Sequence, residues 1–163
     1  MERRSRILLV LMFLAGGALW AQEKPFRYNG SGYADFGVGS CAHRVGTVSF
    51  GGGGDGFLWR GLAATGDIGY YRFVERGSQG FGVGTVGVGY HFVNRSRPGK
   101  FDPFVSAGLL GAGFSEGISA AASIGGGANY WFSRRAGLRM EFRATGFAAG
   151  EALGMFRIGF SFR

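Results

Sequence analysis

From Phe104 to Ser133 the only charged side chain is Glu116. A water-facing surface normally carries charge on about 25–35% of its positions, so two adjacent strands from this stretch would make a poor aqueous surface and a good lipid-facing one. The stretch cannot cross a membrane as a helix either. It holds seven glycines and lacks an unbroken apolar core of about 20 residues. Backbone polar groups in lipid must all be paired, and the non-helical way to do that is a closed barrel. A single-chain antiparallel barrel usually has an even strand count, beginning at about eight.

The rest of the chain alternates with the period of strands. At its end, Phe156, Ile158, Phe160 and Phe162 fall on one face, and Arg157, Gly159, Ser161 and Arg163 on the other. Turn-like clusters separate eight such runs. The first is about Tyr28 to Gly39, the second Arg44 to Gly52 and the third Phe57 to Phe73, with Gly51-Gly-Gly-Gly-Asp-Gly56 read as the turn between the last two. The fourth is about Phe81 to Val93, and Asn94 to Lys100, with its Pro-Gly, is a turn. The fifth to seventh are about Phe101 to Phe114, Ile118 to Phe132 and Gly137 to Thr145. The fold class is therefore all-β, an eight-stranded antiparallel up-and-down transmembrane β-barrel.

Two rings of aromatics suit a barrel in lipid. Tyr90, Phe92, Phe101, Tyr130, Trp131 and Phe132 are expected at one interface, and Phe73, Phe81, Phe114 and Phe147 at the other. If the apolar face is outside, the opposite face is the lumen. That face holds Asp35, Asp67, Arg139, Glu141, Arg143 and Arg157. An eight-stranded barrel is just wide enough for side chains to fill it, and buried charges must pair. The expectation is a polar plug in which the arginines engage Glu141, Asp67 and Asp35, with lumen glycines such as Gly125 and Gly127 making room for these side chains and for Trp131.

The first residues read as a secretory signal: Arg3, Arg4 and Arg6, an apolar run from Ile7 to Leu14, then small residues before a cut after Ala21. Residues 1–21 are thus a signal peptide and residues 22–163 the barrel domain. Removing the signal lowers the formal charge from +8 to +6, since it carries three Arg and one Glu. The basic residues are scattered without a run of five, which argues against nucleic acid and for anionic lipid headgroups.

The signal, the Gly-rich strands, Pro103-Phe-Val-Ser-Ala-Gly-Leu109 and the aromatic-alternating end resemble the small outer-membrane β-barrel proteins with an OmpA-like transmembrane fold. The resemblance spans nearly the whole mature chain. It implies an outer-membrane location, with both termini in the periplasm, and a final strand read by the barrel-assembly machinery. That family normally ends on an aromatic residue; here Arg163 follows the last Phe. The turns near Gly51, Arg95 and Arg134 are then periplasmic, and the loops near Cys41, Glu75 to Gly80, Ser115 to Gly117 and Gly146 to Gly154 face outward.

The function expected is a structural or interaction barrel with a plugged polar lumen. A narrow channel for small solutes is the alternative, and a lipid-modifying enzyme comes behind it. No Ser-His-acid constellation assembles from the sequence. His43 lies in the first outward loop near Ser40, and His91 near a periplasmic end on the lumen face. Two separated histidines and one cysteine offer no metal set. The glycine run lacks the Gly-Lys-Ser/Thr ending of a phosphate loop, and no cofactor is expected. Arg44, Arg72 and Arg76 stand near the outward rim, where they can meet lipopolysaccharide phosphates.

Overall fold

The computed structural model describes residues 30–41, 46–75, 78–92, 100–114, 117–147 and 152–163. The expected signal peptide, His43, Arg44, Arg76 and the side chains of Phe114 and Phe147 lie outside that set.

Eight strands form one closed antiparallel barrel: β1 (Gly30–Cys41), β2 (Gly46–Trp59), β3 (Leu62–Phe73), β4 (Gly80–His91), β5 (Phe101–Phe114), β6 (Gly117–Trp131), β7 (Ala136–Phe147) and β8 (Ala152–Phe162). Each pairs with its chain neighbour, and β8 returns to β1. Closure leaves no unpaired edge, which is the condition for β-structure in hydrocarbon. The strands run from 11 to 15 residues. A lipid core needs about 9–11 tilted residues per strand, so each is long enough to cross one.

The side-chain distribution is inside-out. Phe36, Phe50, Ile68, Val86, Leu109, Ile124, Phe142, Phe156, Ile158 and Phe160 point outward and are exposed. Asp35, Asp55, Asp67, Asp102, Arg139, Glu141, Arg143 and Arg157 point inward and are buried. A water-soluble protein rarely shows a contiguous apolar patch beyond a few hundred Å². Here such residues cover every strand.

The glycine run is not a turn. Gly51 to Gly54 sit mid-strand in β2, paired on one side with Asp35 to Gly32 of β1 and on the other with Gly69 to Gly66 of β3. Glycine serves close packing there: a Cβ at Gly51 would lie 2.6 Å from the Ile68 carbonyl oxygen. The chain reverses instead at Arg60-Gly61, with φ of 43° and 88°, and Trp59 pairs with Leu62 around it. Positive φ at both central residues marks a type I′ turn, whose twist matches that of the flanking strands. The third strand consequently starts at Leu62 rather than Phe57.

A register shift lies between Phe57 and Trp59. By simple alternation Trp59 would share the inward face of Asp55; the irregularity re-aims it to the outer face beside Leu62. The outer aromatics at the end that holds the chain termini are Trp59, Phe101, Tyr130, Phe132, Phe160 and Phe162, all exposed. Trp131 points inward and is buried, as the room expected for it among the lumen glycines implies, and does not join the outer ring. Phe81 and Phe73 also depart from the expected girdle: Phe81 is buried in the lumen and Phe73 packs against the same cluster.

Candidate functional site: the barrel interior

The lumen has two storeys. Toward the 42–45, 76–77, 115–116 and 148–151 connections it is largely apolar, with the polar side chains of Thr47, Ser49 and Thr145 also buried at that height. Tyr71, Phe81, Val83, Leu110, Ala112, Ala121, Leu153 and Met155 form one buried cluster, with Cys41 and Phe73 packed on it. Strand parity places them there, since Leu153 and Met155 share a face with Arg157 on β8. An apolar storey is not legible in the sequence, because alternation assigns faces and not the height at which the lumen changes character.

The second storey, mid-barrel and toward the termini, is charged. Glu141 on β7 is its centre. Its Oε1 accepts from Arg143 Nε at 2.9 Å, and its Oε2 accepts from Arg139 Nε at 3.3 Å. Arg143 also reaches Asp67 on β3 at 2.7 Å. Arg157 on β8 holds Asp35 on β1 through two bonds, Nη2 to Oδ2 at 2.7 Å and Nε to Oδ1 at 3.0 Å. Its Nη1 lies 3.7 Å from Asp67 and 3.8 Å from Glu141. All six of the lumen charges singled out in the sequence thus fall within one network. The i, i+2 spacing of Arg139, Glu141 and Arg143 stacks them along one face of β7.

Space for these long side chains comes from glycine. A Cβ at Gly125 would lie 3.0 Å from Glu141 Oε1 and 2.9 Å from Ser106 Oγ. One at Gly37 would stand 3.0 Å from Arg157 Cγ.

Nearer the termini the network continues to His91, expected on the lumen face, and to Asp55 and Asp102, which sequence reading missed. Arg139 Nη1 donates to Asp55 at 3.0 Å. Its guanidinium lies between the Tyr33 and Phe104 rings, 4.1 and 4.0 Å from their centroids. Asp55 escaped notice because it sat in the supposed turn, although it keeps the parity of Thr47 and Ser49. His91 Nδ1 meets both Asp102 oxygens, at 3.0 and 3.1 Å. A carboxylate only accepts, so the imidazole supplies the proton there. Its Nε2 faces Asp55 at 3.7 Å. Asn129 donates to Asp102 at 3.4 Å and accepts from Ser161 at 2.9 Å. Asp102 shares the face of buried Phe104, and that parity was the available signal.

At the mouth itself Arg163 lies 3.9 Å over the Trp131 ring, and its backbone N–H donates to the Arg135 carbonyl at 3.1 Å. On the opposite rim Arg72 is exposed on the outer face of β3. Among the described residues no group of three or more His, Cys, Asp or Glu is arranged to hold a metal ion.

Solved structures with this architecture include small bacterial surface barrels. Neisserial surface protein A superposes with a TM-score of 0.64 at 14% identity, covering 83% of this chain and 97% of that one. The N-terminal β-barrel domain of Pseudomonas aeruginosa OprF gives 0.57 at 22% identity, covering 82% and 98%. This chain has the fold of the small eight-stranded outer-membrane barrels. Ail, the attachment invasion locus protein of Yersinia pestis, shares it with a TM-score of 0.52 at 10% identity, covering 83% and 99%. No family model and no curated protein matches the sequence. At these identities the shared property is the backbone architecture; the interior network belongs to this chain's own side chains.

Proposed function

We propose that the protein is a small outer-membrane β-barrel with a structural or interaction role and a closed lumen. The carrying observation is the inside-out distribution, with ion pairs within and apolar side chains without. In water that arrangement exposes the apolar faces of all eight strands and buries charge at a cost of several kcal/mol per ion. In a bilayer the outer face is solvated by lipid, and the charges have nowhere better to go than one another. The sequence of residues 1–21 supports export to that membrane, and the alternating final strand supports handling by the barrel-assembly machinery.

Two interior storeys support closure rather than conduction. Leu110 and Met155 are fully buried in one, and Glu141, His91 and Asn129 in the other. A permeating ion would have to break paired charges and then pass an apolar layer. A non-catalytic reading is supported by the placement of His91, whose two ring nitrogens face carboxylates. At the outer rim Arg72, with Arg76 four residues further on and Arg44 in the β1–β2 connection, meets lipopolysaccharide phosphates.

The membrane reading is tested by gel mobility of detergent-extracted protein, unboiled against boiled. A heat-dependent shift is expected. A protein that stays soluble and folded without detergent defeats it. Closure is tested in planar bilayers: sustained single-channel steps in the wild type that Glu141→Ala abolishes would establish a pore instead. A lipid-deacylation assay comparing wild type with His43→Ala is expected to show no activity in either.

A further inference from the structure

The two rims of the barrel differ in charge. At the terminal end the exposed charged side chains on the described connections are Arg60, Lys100, Arg134 and Arg135. The β4–β5 connection adds Arg95 and Arg97 in sequence, and none of the three terminal-end connections contains an acid. The four connections at the opposite end hold Arg44, Arg76, Glu75, Glu116 and Glu151. In formal charge the connections carry +6 against −1, or +6 against 0 once Arg72 on the opposite rim is counted.

The basic groups are held in place beside aromatics. Arg60 stacks its guanidinium 4.8 Å from the centroid of Trp59, whose ring faces outward. The β6–β7 turn is ordered by Ser133, whose Oγ accepts from the N–H groups of Arg135 at 3.2 Å and Ala136 at 2.9 Å. That presents Arg134 and Arg135 just beyond Tyr130 and Phe132. Lys100 directly precedes exposed Phe101. Tyrosine and tryptophan sit at headgroup height in membranes, so cations one residue further out lie among the phosphates.

We propose that this rim is a binding surface for anionic phospholipid headgroups, and that it gives the barrel a selective lipid annulus at its terminal end. The inference rests on the membrane reading above. Distribution argues for lipid rather than one soluble polyanion. The basic connections alternate around the circumference, one every second hairpin, and Arg60 lies against the outer wall rather than over the mouth. A ring of separated cations fits a ring of encircling headgroups.

Trp59 is a built-in reporter, since it faces outward beside Arg60 while Trp131 is buried in the lumen. The protein without residues 1–21, and so without Trp20, is reconstituted in vesicles containing either brominated phosphatidylglycerol or brominated phosphatidylcholine at equal mole fraction, and tryptophan quenching is read. Stronger quenching by phosphatidylglycerol is expected, with a relative affinity of about fivefold at low salt, as one cation near an anionic surface provides. At about 1 M salt, where screening acts over about 3 Å, the preference should vanish. The combined variant Arg60→Asn, Lys100→Gln, Arg134→Gln, Arg135→Gln should quench equally with both lipids, while Glu75→Gln on the other rim keeps the preference. Equal quenching by both lipids in the wild type overturns the proposal, as does a preference that survives high salt. Absence of quenching by either lipid would instead defeat the membrane reading on which it rests.

Discussion

Arg157 and Asp35 meet side-on across the seam that closes the barrel. Two parallel N–H···O bonds, 2.7 and 3.0 Å long, join side chains 122 residues apart in sequence. Both are buried, and they sit on β8 and β1, the one strand pair with no short connection. The geometry is the fork-to-fork arrangement that makes arginine–carboxylate pairs strong and directional. The pair therefore favours correct closure and register as well as stability.

Breaking this pair from one side should be costly. Asp35→Asn is expected to lower unfolding stability in urea by about 3–5 kcal/mol, since it strands a buried guanidinium. Replacing both groups, as Asp35→Leu with Arg157→Met, should recover a large part of that loss. A double variant no better than the single one would show that the pair acts through closure geometry rather than charge. Thermal shift of the heat-modifiable band is an independent readout.

Glu141 serves three arginines, with Arg139 and Arg143 at hydrogen-bond distance and Arg157 at 3.8 Å. Glu141→Gln keeps the volume and removes the charge. The arginines then retain Asp55, Asp67 and Asp35 but lose their common neighbour. A destabilisation of about 3–5 kcal/mol is expected in the same unfolding assay. Bilayer conductance should stay at baseline, because the apolar storey around Leu110 and Met155 remains. Leu110→Ala alone should cost about 2–5 kcal/mol by leaving a cavity, and also stay closed. A conducting single variant in either storey would refute the idea that each closes the lumen independently.

Much of this was legible from alternation. The inward placement of Arg139, Glu141 and Arg143 follows from period-2 spacing once the uncharged stretch from Phe104 to Ser133 has turned the apolar face outward. What misled was glycine. In soluble proteins four consecutive glycines usually mark a loop, and here Gly51 to Gly54 are strand. They relieve contact with the neighbouring backbone in a tightly curved wall. The true turn, Arg60-Gly61, carries only one glycine and was hidden inside an apolar run. Reading the turn in the glycine run hides Asp55, the group that joins Arg139 to the expected lumen residue His91. The height of the apolar storey was not readable either, since it depends on how strands are staggered.

Glycine substitutions should therefore sort by face rather than by strand propensity. Gly84 is exposed on the outer face, and a Cβ added there would have no heavy atom within 4 Å. Gly84→Ala should be neutral, or stabilising by about 0.4–1 kcal/mol through the unfolded chain. Gly125→Ala pushes a methyl against Glu141 Oε1 and Ser106 Oγ, and overpacking of this kind costs about 1–3 kcal/mol. Urea midpoints for the two variants in the same detergent decide it. A similar loss at both positions would mean that strand glycines act through backbone twist and not through lumen space.

The turn offers the last test. Gly61 has φ of 88°, and a Cβ there would lie 2.5 Å from the His91 carbonyl oxygen. His91 has little freedom to retreat, because its backbone N–H donates to the Gly61 carbonyl at 2.8 Å. Gly61→Ala combines a left-handed conformation with a backbone clash, so a loss above about 1 kcal/mol is expected. Arg60→Asn should do the opposite, because Asn-Gly is the preferred pair for a type I′ turn. By contrast, inserting one residue between Gly52 and Gly53 should prevent folding, since a one-residue slip sends every later side chain of β2 to the wrong face. Tolerance of that insertion, with Gly61→Ala harmless, would return the turn to the glycine run.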